Sequence, residues 1–456
     1  MLVPRTALIV WVASFVLPVA IVGGTLPGAL GFAGLLIALF LMLVLLDALL
    51  ARRGTHGIRL HLPELVRLQK DRPGVIEVRV ANPQKVARAV RIGLAWPREM
   101  ITAEQERRVS LPAGAAMAQI EWAFTPSRRG QYILCRAYLE VSSPLGFWAA
   151  RKADEVRCEL RVYPNLIEDR KNVAALFLKR GVLGVHAQRQ AGQGREFEKL
   201  REYLHGDSVD DIHWKASAKR GHPVTKIFQV ERTQEVYVIV DASRLTARAL
   251  SMGEFSSQKP PGLVAGERST TVLERFVSAS LILGLAAEQQ GDQFGLITFS
   301  DKVLGFVRAR TGQAHYDACR DRLYRLESQT VTPDFEELFT FIRLKLRKRA
   351  LLIFLTALDD PILAEAFTKS VSLICRQHLV FVDMLKPPAA NPLFSSNVAK
   401  LDDIYAHLGG HLQWRQLGEL EKVLRQRGVR FSLLDPARLP ADLVAQHAEV
   451  KARQLI

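Results

Sequence analysis

Two long apolar runs stand side by side at the start of this chain, and they constrain its fold more than anything that follows. Residues 6–22 (TALIVWVASFVLPVAIV) carry no charge, and residues 28–50 carry one, Asp47. Each run is near the ~20 residues that a helix needs to cross a bilayer. The charge-free stretch from Gly23 to Pro27 joins them as a tight turn. The pattern predicts a transmembrane helical hairpin within residues 1–56. A cleaved signal peptide is the competing reading of the first run. Against it, no clear small-x-small site precedes the second run, which follows at once. Pro18 would kink the first span, and membrane helices tolerate that. Arg5 precedes the first span, Arg52 and Arg53 follow the second, and the turn has no Lys or Arg. The positive-inside rule therefore places both ends in the cytoplasm. Asp47 falls near that end, where its carboxylate can reach headgroups or water.

The rest of the 456 residues leaves room for about three domains at ~150 residues each. Residues 57–164 read as an all-β sandwich. The stretches 74–81, 90–94, 119–124, 133–141 and 156–162 alternate apolar and polar side chains at period two, with Pro, Gly and Asn between them. Short strands at this spacing suit a small antiparallel sandwich. Residues 165–235 form a connector. From residue 236 to 456 the pattern becomes α/β. Apolar runs at 236–241, 294–299, 350–355, 379–382 and 429–434 alternate with helical stretches such as 271–290 and 335–347. Fully apolar strands between helices indicate a doubly wound, mostly parallel sheet covered on both faces. Ligands in such sheets bind at the carboxyl ends of the strands, where Asp241, Ser243, Thr356, Asp359 and Asp360 fall. Residues 248–269 read as a long loop over that end.

Other features narrow the chemistry. Cys135, Cys158, Cys319 and Cys375 form no Cys-x-x-Cys pair and read as free thiols in a reducing compartment. Gly192 and Gly194 lack the third glycine of a dinucleotide fingerprint. His205, Asp207, Asp210, Asp211 and His213 are metal-ligand types, but their spacing matches no standard loop or helical pair, and a polar turn is the expectation. Lys and Arg total 62 against 46 Asp and Glu, a net charge of +16. That permits nucleic acid, anionic lipid or an acidic partner and selects none. The basic stretch 343–349 is the best patch for such binding. No Gly-x-Ser-x-Gly elbow, His-Glu-x-x-His or Walker lysine loop occurs, so no catalytic motif is found.

Gly194-Arg-Glu-Phe197, Leu200-Arg-Glu-Tyr203, Gly206-Asp207 and Ile212-His-Trp-Lys-Ala-Ser-Ala218, followed by a run ending Val240-Asp241-Ala242-Ser243, resemble the bacterial family known as domain of unknown function 58. The resemblance extends to the order of parts: membrane hairpin, β-rich domain, signature stretch and a von Willebrand factor A-like domain. It implies a non-enzymatic partner of MoxR-type AAA+ ATPases, acting in chaperone-like assembly or maturation of other proteins. It also implies that Arg201, Tyr203, Asp207, His213, Trp214 and Lys215 of the signature form an interaction surface.

A domains typically hold a divalent cation (the site called MIDAS) through Asp-x-Ser-x-Ser, a distant Thr and an Asp after a later strand. Hydroxyls and carboxylates are hard oxygen ligands suited to Mg²⁺. Here Asp241 and Ser243 match, Leu245 stands at the second serine, and Thr330 or Thr332 fits the distant threonine. Thr356-Ala357 replaces the Thr-Asp pair. The degenerate set is Asp241, Ser243, Thr332 and Thr356. With two oxygen ligands lost, a metal-free interaction fold is the expectation and Mg²⁺ the alternative.

The functional expectation is a scaffold or adaptor in the bacterial inner membrane, with two helices crossing and the soluble domains cytoplasmic. Its partners would be the lipid bilayer, a MoxR-type AAA+ ATPase and an unnamed client. The competing classes are a metal-dependent hydrolase using Asp241, His205 or His213, and a basic protein binding nucleic acid or anionic lipid.

Overall fold

The computed structural model describes residues 1–26, 28–180, 191–192, 196–204, 208–229, 234–250, 270–393, 395 and 401–453. The chain packs as two units, Met1–Asn165 and Leu166–Ile456.

The first unit opens with a short strand, β1 (Leu2–Pro4), and two helices, α1 (Thr6–Thr25) and α2 (Leu30–Gly54). Both helices are long and apolar enough to cross a membrane. Pro18 has no N–H for the carbonyl four residues back, and α1 loosens to π geometry at Val12–Val16 just before it. The helices approach closely at Gly23, where an added Cβ would stand 2.5 Å from the Cβ of Ala33. Small residues at such a crossing let two apolar backbones touch.

Nine further strands follow: β2 (Arg59–His61), β3 (Leu65–Gln69), β4 (Gly74–Ala81), β5 (Arg88–Leu94), β6 (Met100–Ile101), β7 (Glu106–Leu111), β8 (Met117–Pro126), β9 (Gly130–Ser142) and β10 (Trp148–Tyr163). They form two sheets, β1-β10-β9-β5-β7 with β3 beside β10, and β2-β4-β8-β6. Alternation explains the sandwich. In β4, Ile76, Val78 and Val80 are fully buried while Glu77 and Arg79 face out. They pack with Ile92, Trp122, Leu139 and Leu160 in one core. Two pairings depart from the sequence expectation, one in direction and one in membership. The ladder of β3 with β10 is parallel, and β1, from before the apolar helices, pairs with residues 148–150 of β10.

The second unit begins with α3 (Ile167–Arg180), whose buried Asp169 pairs with buried Arg275 at 3.2 Å. A small sheet follows, of order β11 (Ala191–Gly192), β13 (Val224–Gln229), β12 (Glu196–Glu202), with the short helix α4 (Trp214–Arg220) between its two longer strands. The main sheet starts at β14 (Glu235–Asp241), and a two-residue ladder, β15 (Ala249–Leu250) with β16 (Thr270–Thr271), stands after it. Then come α5 (Val272–Gln289), β17 (Gln293–Phe299), β18 (Val303–Arg310), α6 (Gln313–Leu323), α7 (Phe335–Lys345), β19 (Leu351–Leu355), α8 (Pro361–Cys375), β20 (Leu379–Leu385), α9 (Leu401–Gln426), β21 (Val429–Leu434) and α10 (Leu439–Ala452). The order is β18-β17-β14-β19-β20-β21, parallel except for the edge hairpin β17–β18. Each face has its own core. Val236, Val238 and Val240 point into one with α5, α6 and α10, and Tyr237 and Ile239 point into the other with α7, α8 and α9. Both faces of β14 are therefore apolar, as covered parallel strands require.

Candidate functional site

The strand order reverses between β14 and β19, and their carboxyl ends form the crevice where open α/β sheets bind ligands. Asp241 ends β14, and Thr356 follows β19. Asp241, Ser243 and Thr356 are all fully buried. The Thr356 hydroxyl donates to Asp241 Oδ2 at 2.6 Å, and the Ser243 N–H donates to Asp241 Oδ1 at 2.8 Å. Ser243 Oγ in turn accepts from the Leu245 N–H at 3.4 Å, starting a short 3₁₀ turn. Burial pushes the Asp241 carboxyl above its ordinary range, and the bonds from Thr356 and Ser243 pull it part of the way back.

The segment before α7 crosses this end. The Gln329 N–H donates to Ala242 O at 2.7 Å, and the Arg244 N–H donates to Val331 O at 3.0 Å. Thr332 is exposed, and its hydroxyl accepts from Arg244 Nε at 3.4 Å. Thr330 is exposed as well. Three of the four expected ligands thus converge, while Thr332 is engaged by a cation. Arg248 reaches across to Asp359, with Nη1 to Oδ2 at 2.6 Å. Leu245 lies in the core formed with β14 and α7. Sequence reasoning missed Ser300, whose hydroxyl sits 2.7 Å from Asp301 Oδ1 and 2.9 Å from Gln329 Oε1. Its place just after a strand, like that of Ser243, was the available signal.

This arrangement is poor in free oxygen ligands for a divalent cation. Both oxygens of the one carboxylate already accept hydrogen bonds, and a guanidinium stands at the distant threonine. No group of three His, Cys, Asp or Glu able to hold a metal occurs among the described residues. What the set can do is tie β14, β19 and the following turn together.

The signature stretch divides by role. His213 caps α4, its Nδ1 accepting from the Ala216 N–H at 3.1 Å, which fixes that nitrogen as the unprotonated one. Ser217 Oγ donates to His213 O and accepts from the Val224 N–H, fastening α4 to β13. Tyr203 is joined through its N–H to Pro223 O. Arg201 is half-buried on β12. Trp214 is 67% exposed, and Lys215 beside it is exposed. Gly194, His205, Gly206, Asp207 and the loop around Pro260 lie outside the described residues. In the basic stretch, Lys348 pairs with Glu235 at 3.8 Å while Leu346 is buried.

Residues 199–395 match the family described as "Protein of unknown function DUF58". The chain carries a DUF58 region. That region holds α4, β13, the whole Asp241–Thr356 cluster and the sheet as far as β20. No curated protein matches the chain. Among solved structures, an aerotolerance-related membrane protein from Bacteroides fragilis is 14% identical, with 47% of this chain and 98% of that chain covered and a TM-score of 0.28. The conserved hypothetical protein BatB from Bacteroides thetaiotaomicron is 12% identical, with 48% and 99% covered and a TM-score of 0.29.

Proposed function

We propose that this DUF58 chain is a membrane-anchored scaffold or adaptor in the bacterial inner membrane, without catalysis of its own. Its soluble domains are cytoplasmic, its α/β domain is von Willebrand factor A-like, and it works with a MoxR-type AAA+ ATPase in the assembly or maturation of client proteins. The observation that carries this reading is Trp214. A tryptophan 67% exposed, next to a lysine, on a helix held down by His213 and Ser217, is a prepared contact for another protein.

Further features support the reading. The third strand of the main sheet is an antiparallel edge, and the first lies between the second and the fourth, as in doubly wound A-like domains. The segment just before α1 and the last residue of α2, Gly54, both meet the β-sandwich, which suits a hairpin whose two ends share one side. The flanking arginines make that side the cytoplasm. The filled Asp241 cluster favours recognition through protein surface over recognition through Mg²⁺.

Two experiments test this. Affinity capture of the full chain from gently solubilised membranes should recover an ATPase and a client, and Trp214→Ala should lose them. Recovery of neither by the unaltered chain overturns the proposal. Calorimetric titration of the full chain with Mg²⁺ should give no saturable heat in the submillimolar range. Binding abolished by Asp241→Asn would restore the metal reading.

A further inference from the structure

We propose that the turn at residues 143–148 is a membrane wedge: the β-sandwich sinks it into the lipid beside the two apolar helices, and Asp47 is the acceptor that permits its backbone to be there. The proposal rests on reading α1 and α2 as membrane spans. Asp47 was expected to meet headgroups or water. Instead it is fully buried, and the β9–β10 turn covers it. Ser143 Oγ donates to Asp47 Oδ2 at 2.6 Å, the Leu145 N–H donates to Oδ1 at 3.0 Å, and the Phe147 N–H donates to Oδ2 at 3.2 Å. The Trp148 indole N–H donates to the backbone oxygen of Val44 at 3.1 Å.

Depth follows from helix geometry. Asp47 lies five residues before Arg52, roughly 7.5 Å along the axis at 1.5 Å per residue. The Phe147 ring packs on Phe40, with centroids 5.8 Å apart, and Phe40 lies about 18 Å before Arg52 on the same scale. Contacts this far into the apolar stretch place the turn below the level of Arg52, while Arg5, at the head of α1, caps its rim, the N–H donating to Phe147 O at 2.9 Å and Nη1 to Ser142 Oγ at 3.0 Å. The tip is built for lipid. Pro144 and Leu145 are exposed, Phe147 and Trp148 are half-buried, and the turn between Ser142 and Arg151 carries no charge. Irregular backbone at such depth leaves N–H groups that lipid cannot satisfy, and burying them unpaired is strongly unfavourable. A carboxylate in the adjacent helix supplies the acceptors. That explains a lone acid in an otherwise apolar helix without assigning it to proton or ion transport.

Spin-label depth measurement on the full chain in phosphatidylethanolamine–phosphatidylglycerol vesicles tests this. Cys135 and Cys375 are replaced by alanine. Cys158 and Cys319 stay, because burial pushes their thiols up to about 11 and about 12 and keeps them unreactive. Labels go singly at Leu145→Cys, at Met117→Cys on the exposed sandwich surface, and at Leu39→Cys on the exposed face of α2. The label at 145 should favour oxygen over an aqueous nickel chelate several-fold more than the label at 117. If 145 is as open to the chelate as 117 while 39 is shielded, the wedge fails and the anchor stands. If 39 is open to the chelate, the anchor itself fails. Asp47→Ala should move the label at 145 toward water, with Asp47→Asn intermediate. An unchanged depth in a folded Asp47→Ala protein removes the role given to Asp47. Should that variant not fold, the depth at 145 with Asp47 intact still decides the wedge.

Discussion

Asp241 looks like a ligand in sequence and acts as a clamp in the fold. Its replacement by alanine leaves the Thr356 hydroxyl and the Ser243 N–H without their acceptor in a fully buried place. Each such loss costs about 1–3 kcal/mol. Thermal unfolding should show Asp241→Ala clearly destabilised and Asp241→Asn close to the parent, since the amide oxygen keeps the Ser243 N–H and its NH2 can donate to the Thr356 hydroxyl, which accepts as well as donates. A second buried acid gives a pH signature. Asp383 on β20 has its carboxyl pushed up to about 7 by burial, against the hydrogen bonds from Gln446 and Ser432 and the charge of Arg430, with Asp442 adding to the rise. The folded state keeps this proton while the unfolded chain, with an ordinary value near 3.8, has lost it. Stability from this group therefore falls as pH rises from about 4 to about 7, and the full penalty stands above that. Asp383→Asn should be stabilising by roughly 2–4 kcal/mol at pH 8 and nearly neutral at pH 4, read from denaturant midpoints at the two values. At this scale the sequence was legible in kind. Asp241, Ser243 and Thr356 were found because they end strands. The hydrogen bonds among them were not, because they close over 115 residues of chain.

Among the elements, α4 makes the sharpest distinction between holding and offering. His213→Ala and Ser217→Ala remove a cap and a fastening, and each should cost about 0.5–2 kcal/mol in thermal or chemical unfolding. Trp214→Ala should leave the unfolding curve within about 0.5 kcal/mol of the parent, since an exposed side chain away from such features contributes little. In the apolar hairpin, Gly23→Leu would collide with Ala33 and push α1 from α2. Reduced crosslinking between cysteines placed on the two helices would report it. Strands buried on both faces and strands with clean alternation were readable from pattern alone. Other elements were not, β18 and α9 among them. The edge strand β18 is half-covered, and Gly305 interrupts its apolar side, so neither template fits it. The 26-residue helix α9 contains Gly409-Gly410, which reads as a break. Gly410 is there because the carbonyl oxygen of Ala389 lies where a side chain would start. Such a contact is fixed by tertiary packing and leaves no local trace.

For the whole molecule, the order of parts was visible in hydropathy and periodicity, but the pairing of the first strand was not. A three-residue segment before an apolar helix has too little pattern to be read as part of a sandwich. Yet Leu2, Val3 and Pro4 lie opposite Ala150, Ala149 and Trp148, and the N–H of Arg151 donates to Met1 O. Replacing Leu2–Pro4 with glycines should lower the unfolding midpoint of the sandwich without changing its strand content, as measured by circular dichroism during heating. The same pairing sets a timetable for biosynthesis. Residues 2–4 leave the ribosome well before the strand they dock against, which is completed only some 150 residues later. That segment must therefore wait, unpaired and on the same side of the bilayer as the sandwich, while the hairpin inserts and the sheet is translated. A chain in which only one of the two helices crossed would leave this segment and its strand on opposite sides of the bilayer, so the ladder closes only when both cross or neither does.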